Sequence, residues 1–193
     1  LKLNEMGLVD FLFVGKRNGI ENDEFDAFSA PNQRLISAVP KTTKIILDTS
    51  GNKMIAGLRG GAYLIKPNLD ELQEMTGEHY DSFDEMITGC EKLIEAGAEN
   101  VMLSLGRKGA ILTDGDKAYF CKSATVAVNS TVGAGDGMVA AAASMIEQNA
   151  PYEDVLRCAV AAGTASVMTP GTNLFYKENF IEIYRKIQVE RLR

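Results

Sequence analysis

Only one histidine occurs in 193 residues, His79, and it sits in a polar stretch between Gly77 and Asp81. No nucleophile or metal-ligand spacing accompanies it, so histidine triads and most zinc chemistry are excluded and a surface position is expected. Cysteine is almost as scarce. Cys90, Cys121 and Cys158 are odd in number and widely spaced, which excludes a disulfide framework and suits a reducing, cytoplasmic setting. No apolar run approaches the ~20 residues of a membrane span. No charged segment followed by an apolar one marks a secretory signal, so neither feature is expected. Positive charge is in deficit: 20 Lys and Arg against 26 Asp and Glu leave a net charge of −6. That balance argues against nucleic acid or an anionic membrane as partner, and an anionic substrate must be met by local groups.

What is present is ordinary in bulk. The 46% hydrophobic content supports a real core, and the length fits one large domain or part of a larger one. Short β-rich runs alternate with helical patterns. Phe11–Val14, Lys44–Leu47, Tyr63–Ile65 and Val101–Ser104 read as buried parallel strands. Ala110–Thr113 and Ala118–Cys121, separated by Asp114-Gly115-Asp116-Lys117, read as a hairpin. Phe83, Met86, Ile87, Cys90, Leu93 and Ile94 recur at helical steps before Gly97. The end of the chain reads as all helical, over 134–148, 152–168 and 177–189. Strands alternating with helices give an α/β, doubly wound sheet, whose ligands bind at the carboxyl ends of the parallel strands.

The most informative run is Thr131-Val132-Gly133-Ala134-Gly135-Asp136, followed by Gly137 and a small-residue helix. Glycines allow a sharp turn, and a helix N-terminus offers unpaired amides that suit a phosphate. A carboxylate at that point makes sense in a kinase, where the amides stabilise the phosphoryl group and Asp136 takes the proton of the attacking hydroxyl. The plain alternative is a turn with a capping carboxylate. The Ala140–Ala143 run is expected to let this helix lie close to the sheet.

Three strand ends support the site. In Lys66-Pro67-Asn68-Leu69-Asp70-Glu71, Asn68 and Glu71 are three apart and are hard ligands suited to Mg²⁺ or its waters. They equally fit a capping box, and the two roles can coexist. Ser104-Leu105-Gly106-Arg107-Lys108-Gly109 can hold a nucleotide's phosphates or ribose, or be a plain turn with solvated cations. Asp48-Thr49-Ser50-Gly51 has the same dual reading. Lys2-Leu3-Asn4-Glu5 reads as a polar strand able to meet a sugar.

Read in order, these segments resemble the PfkB (ribokinase-like) family of carbohydrate kinases, and its sugar-phosphate branch in particular. The run from Asn129 to Ala140 looks most like the kinases of fructose 1-phosphate, with tagatose 6-phosphate kinases as neighbours. The resemblance implies a ribokinase-like fold and transfer of the γ-phosphoryl group of MgATP to the C6 hydroxyl of fructose 1-phosphate. It implies Asp136 as the base, with the Gly133, Ala134, Gly135 and Asp136 amides as the anion hole. By the same resemblance Asn68 and Glu71 organise the metal, and Ser104, Gly106, Gly109 and Gly135 contact the nucleotide with help from Lys66. Asn4 and Asp136 would meet the sugar. Alternative acceptors are tagatose 6-phosphate and fructose 6-phosphate. A non-catalytic nucleotide-binding homologue is the alternative of a different class.

The sequence also departs from the family. Met6 stands where a proline is usual, and Gly7–Asp10 leads into a strand where the family places a helix. Val14–Gly19 replaces the loop that borders the sugar. The amino-terminal strands and the lid have no counterpart, so the 193 residues are expected to be the carboxyl-terminal two-thirds of one family domain. Family members often pair through that lid, which is the limit of what is implied about a homodimer.

Overall fold

The computed structural model describes residues 11–15, 40, 42–49, 51–171 and 175–193, and the chain divides into two compact units between residues 101 and 102. Among the described residues no helix is long and apolar enough to cross a membrane. The Lys2–Glu5 strand with Asn4, and the loop at 16–19, lie outside them.

The first unit is built on parallel strands: β1 (Phe11–Gly15), β2 (Lys44–Asp48), β3 (Ala62–Ile65) and the first part of β4 (Ala98–Ser104), side by side in chain order. Ile46 pairs with Leu64, and Leu64 with Asn100. Ile46, Leu64, Ile65 and Val101 are fully buried, as expected of parallel strands covered on both faces. Parallel neighbours need crossovers. Helix α1 (Asn52–Leu58) joins β2 to β3, and α2 (Leu69–Thr76) with α3 (Phe83–Glu95) joins β3 to β4.

Local chemistry sets the ends of these helices. α2 and α3 each open with a reciprocal capping box, Asn68 with Glu71 and Ser82 with Glu85. α2 closes on Gly77 at φ 71°. Gly97, just past α3, has φ 125°, and a Cβ there would overlap the Leu58 carbonyl oxygen. Met86, Ile87, Cys90 and Leu93 form the buried face of α3 that their spacing predicts, while Phe83 stays exposed. α1 is a helix that no pattern announced. It has seven residues and no side-chain cap, and it packs so closely that a Cβ on Gly57 would stand 2.7 Å from Leu47 Cδ1.

In the second unit β5 (Ala110–Thr113) and β6 (Ala118–Cys121) form the expected hairpin. Asp114 Oδ1 shapes its turn by accepting from the Asp116 and Lys117 amides at 3.0 and 2.7 Å. Helices α4 (Ala134–Glu147), α5 (Tyr152–Ser166) and α6 (Lys177–Lys186) follow. The all-helical ending is corrected: the last helix stops at Lys186, and β7 (Val189–Arg191) pairs antiparallel with β6. Ile183 and Ile187 are both buried, four apart, so the local pattern reads as helix. The β6 edge supplies the backbone partners that turn the tail into a strand instead.

The alanine run is corrected too. α4 packs on α5, and it is α5 that lies on the strands of this unit. Ala142 and Ala143 are buried in α4, while Ala140 is exposed. The two helices meet at glycines. A Cβ on Gly137 would stand 2.7 Å from Ser166 Oγ, and one on Gly163 2.6 Å from Met138 Cγ.

Candidate active site

The segment leading into α4 is tied to the end of α5. The Asn129 amide donates to the Val167 carbonyl at 2.8 Å, its side-chain Nδ2 donates to the Met168 carbonyl at 2.6 Å, and the Ser130 amide donates to Val167 at 3.3 Å. The chain then turns at Gly133, the N-cap of α4, with φ 82°. An L-residue is strained at that angle, so the glycine is required by the backbone. No side chain caps the helix. The Ala134 amide donates to the Thr131 carbonyl at 3.4 Å, but those of Gly133, Gly135 and Asp136 have no acceptor among the described residues. Three open N–H groups at the positive end of a helix dipole make an anion-binding surface.

Asp136 occupies the third position of α4 and is exposed. Among the described residues its carboxylate makes no hydrogen bond and no ion pair. The capping alternative is therefore not realised: the carboxylate serves no structural bond and is available to a ligand.

Beside this turn lies a cavity of about 490 Å³, wholly within the second unit. Ser104, Gly106, Gly109, Ala134 and Gly135, all expected from sequence, line it together. Gly133 and Asp136 adjoin it without lining it. The loop after β4 is a single 3₁₀ turn over Gly106–Lys108, closed by the Leu105 amide on the Gly109 carbonyl at 2.8 Å. It is thus a turn and a cavity wall at once. Arg107 lines the cavity, whereas the exposed Lys108 does not.

Most of the remaining wall escaped the sequence. Val126, Val128, Met138, Val160, Thr164 and Val167 contribute to it, from the segment after β6, from α4 and from α5. Val160, Gly163, Thr164 and Val167 do recur at helical steps, which marks one face of α5 but cannot distinguish a cavity wall from core.

The first unit holds the other expected residues. Lys66 is buried, and its Nζ stands 3.2 Å from Asp48 Oδ1. Asp48 ends β2 and Lys66 follows β3, so neighbouring parallel strands deliver the pair side by side. Asn68 Oδ1 accepts from the Glu71 amide at 2.8 Å, and Glu71 Oε2 accepts from the Asn68 amide at 2.9 Å. The capping box is formed. Among the described residues no group of three or more His, Cys, Asp or Glu could hold a metal by itself. Mg²⁺ keeps most of its waters and needs only one or two protein oxygens, and a carboxylate accepts more than one bond. The donor chemistry of Asn68 and Glu71 therefore fits a water-bridged magnesium alongside the box.

His79 is a surface residue whose Nε2 lies 3.2 Å from Asp81 Oδ1. All three cysteines are free, and burial pushes the Cys90 thiol up to about 12 and Cys121 to about 11, which keeps those two thiols protonated at neutral pH.

Comparison with known proteins bears on the family and the fold. The sequence pattern of the pfkB family carbohydrate kinases matches residues 29–179. The chain is 34% identical over 136 residues to a 1-phosphofructokinase of Borreliella burgdorferi, covering 69% of this chain and 44% of that relative. It is 34% identical over 154 residues to the ATP-dependent 6-phosphofructokinase isozyme 2 of Escherichia coli, covering 78% and 50%. The structure is similar to that of phosphofructokinase-2 from Escherichia coli in complex with substrates and products. The TM-score is 0.79 at 30% identity, over 91% of this chain and 56% of the other. The fold is ribokinase-like, a mostly parallel sheet flanked by helices. The chain spans about half the length of the curated relatives it matches.

Proposed function

The chain belongs to the pfkB family of carbohydrate kinases, and from that premise we propose that it transfers the γ-phosphoryl group of ATP to the C6 hydroxyl of fructose 1-phosphate. The observation that carries the proposal is the Gly133–Asp136 turn, where open amides and an unpartnered carboxylate stand together at one helix start. In the reaction the C6 oxygen bonds to the γ-phosphorus, the bond from that phosphorus to the β–γ bridging oxygen breaks, and ADP leaves. Asp136 takes the hydroxyl proton. The transition state is loose, so the protein's work is placement and charge stabilisation, which the Gly133, Gly135 and Asp136 amides supply.

The cavity beside the turn is the donor site in this proposal. Ser104, Gly106, Gly109 and Gly135 follow the nucleotide's polar part, and the valine-rich wall takes its base. Lys66 assists with phosphate charge. Asn68 and Glu71 would hold magnesium through its waters, and the ion would neutralise phosphate charge when bound. Relatives named 1-phosphofructokinase from three different bacteria support fructose 1-phosphate as acceptor. The relative named 6-phosphofructokinase, equally identical, favours fructose 6-phosphate as a second reading.

The test is ADP release from MgATP by the purified chain with fructose 1-phosphate, fructose 6-phosphate, tagatose 6-phosphate and no sugar. Release stimulated chiefly by fructose 1-phosphate is expected. Release that ignores every sugar would remove the acceptor assignment, and stimulation by fructose 6-phosphate alone would replace it with the second reading.

A further inference from the structure

One buried hydroxyl in the cavity wall has no structural employment. Thr164 is only 6% exposed, and its side chain makes no hydrogen bond among the described residues. Other helical hydroxyls in the chain behave differently. Those of Thr76, Thr88 and Ser166 each donate to the carbonyl four residues earlier. Thr164 does not turn back to Val160 in this way. Among the described residues no fully sealed side-chain nitrogen or oxygen lacks a partner. The Thr164 hydroxyl is therefore not fully sealed, and Thr164 lines the cavity. Val160 and Val167 lie on either side of it along the same face of α5, and no other polar side chain in the cavity lining is nine-tenths buried.

We infer that Thr164 is the side chain that reads the nucleobase of the phosphoryl donor, and that it reads it permissively, accepting 6-amino and 6-oxo purine nucleoside triphosphates alike. The inference rests on the assignment of this cavity as the donor site and deepens it. A flat base fits between apolar walls by shape, which is indifferent to its edge substituents. Strong discrimination requires a buried group fixed as donor or as acceptor, left unsatisfied by the wrong base. A hydroxyl is neither. It rotates to donate to a ring nitrogen or an oxo group, or to accept from an amino group. The turn amides at Gly133–Asp136 address the phosphates, which all such nucleotides share.

Calorimetric titration of the full chain with ATP, inosine triphosphate and inorganic tripolyphosphate, each with magnesium and without sugar, tests this directly. The variants are Thr164→Val, which keeps the shape, and Thr164→Ser, which keeps the hydroxyl. The parent is expected to bind ATP and inosine triphosphate within about threefold of each other. Thr164→Val should weaken both by about 3- to 10-fold, the worth of one neutral hydrogen bond, and leave tripolyphosphate unchanged. Thr164→Ser should restore most of the loss. Three results would overturn the inference while leaving the donor site in place: equal nucleotide affinity in Thr164→Val and parent, a loss that extends to tripolyphosphate, or a parent that prefers ATP by more than about 30-fold. A parent that binds neither nucleotide would overturn the donor site itself.

Discussion

Gly106 and Gly109 bracket one turn of the candidate donor site, and replacing each with alanine should give very different results. Gly109 has φ 118° and ψ −141°, a region that L-residues do not adopt without strain. A Cβ there would overlap the Cys121 carbonyl oxygen and stand 2.9 Å from both the Cys121 carbonyl carbon and the Lys122 Cα. All three are backbone atoms, so no side-chain rotation relieves the contact. Gly109 is also pinned at both ends, donating to the Gly106 carbonyl at 3.1 Å and accepting from the Leu105 amide at 2.8 Å. Backbone strain of about 1–3 kcal/mol and overpacking of about 1–3 kcal/mol together place the cost of Gly109→Ala near 4 kcal/mol. At roughly 2–4 °C per kcal/mol for a chain of this size, Tm should fall by about 8–16 °C. Gly106 has φ 57°, but a Cβ there would meet nothing within 4 Å. Gly106→Ala should therefore cost only the left-handed penalty of about 1–2 kcal/mol and lower Tm by about 2–8 °C. Thermal melts followed by circular dichroism decide the matter. A Gly109→Ala variant that melts no lower than Gly106→Ala would refute the reasoning from the Cys121 contact.

Removing one member of the Lys66–Asp48 pair leaves the other charge without its partner, so Asp48→Asn should lower the urea unfolding free energy by about 1–3 kcal/mol. Adding Lys66→Met to it should cost less than the sum of the two single changes, and strict additivity would show that the pair contributes no coupling. Native protein at pH 8 should leave Cys90 and Cys121 unlabelled by a thiol reagent on a timescale that labels the unfolded chain fully, because burial raises both thiols. Rapid labelling of either would contradict their burial. The Asp81 and Ser82 amides, donating to Glu85, hold its carboxyl below the ordinary glutamate range. A lowered folded value means that the contribution is fully present above the unfolded glutamate value of about 4.3 and is lost as the pH falls through the folded one. Glu85→Gln should thus narrow the stability gap between pH 7 and pH 3, and an unchanged gap would count against the cap.

The parts of this molecule that were legible in sequence are those whose chemistry is local. The Gly133–Asp136 turn announces itself because a glycine with positive φ and a helix start need only neighbours in the chain. The same holds for the Asn68 and Glu71 box, the Asp114 turn and the buried face of α3. What escaped depends on distant chain segments. β7 exists because the β6 edge is within reach of residues 189–191, although Ile183 and Ile187 keep a helical spacing. Ala142 and Ala143 look as if made for a sheet, yet Gly137 and Gly163 seat α4 closely on α5. The cavity wall gathers single residues from Val126 to Val167, so no short motif contains it. The pairing of Lys66 with Asp48 needed the side-by-side ends of β2 and β3.

The proposed role of Asp136, proton transfer with no structural part, is tested by single-turnover phosphoryl transfer in Asp136→Asn. Because the carboxylate makes no bond to the described residues, the variant should melt with the parent and bind ATP within about twofold, since surface changes of this kind rarely exceed ~0.5 kcal/mol. Transfer to the sugar phosphate should fall by about 10²- to 10⁴-fold, the range for loss of a general base. Transfer within tenfold of the parent, at unchanged ATP affinity, would remove Asp136 from the role of base.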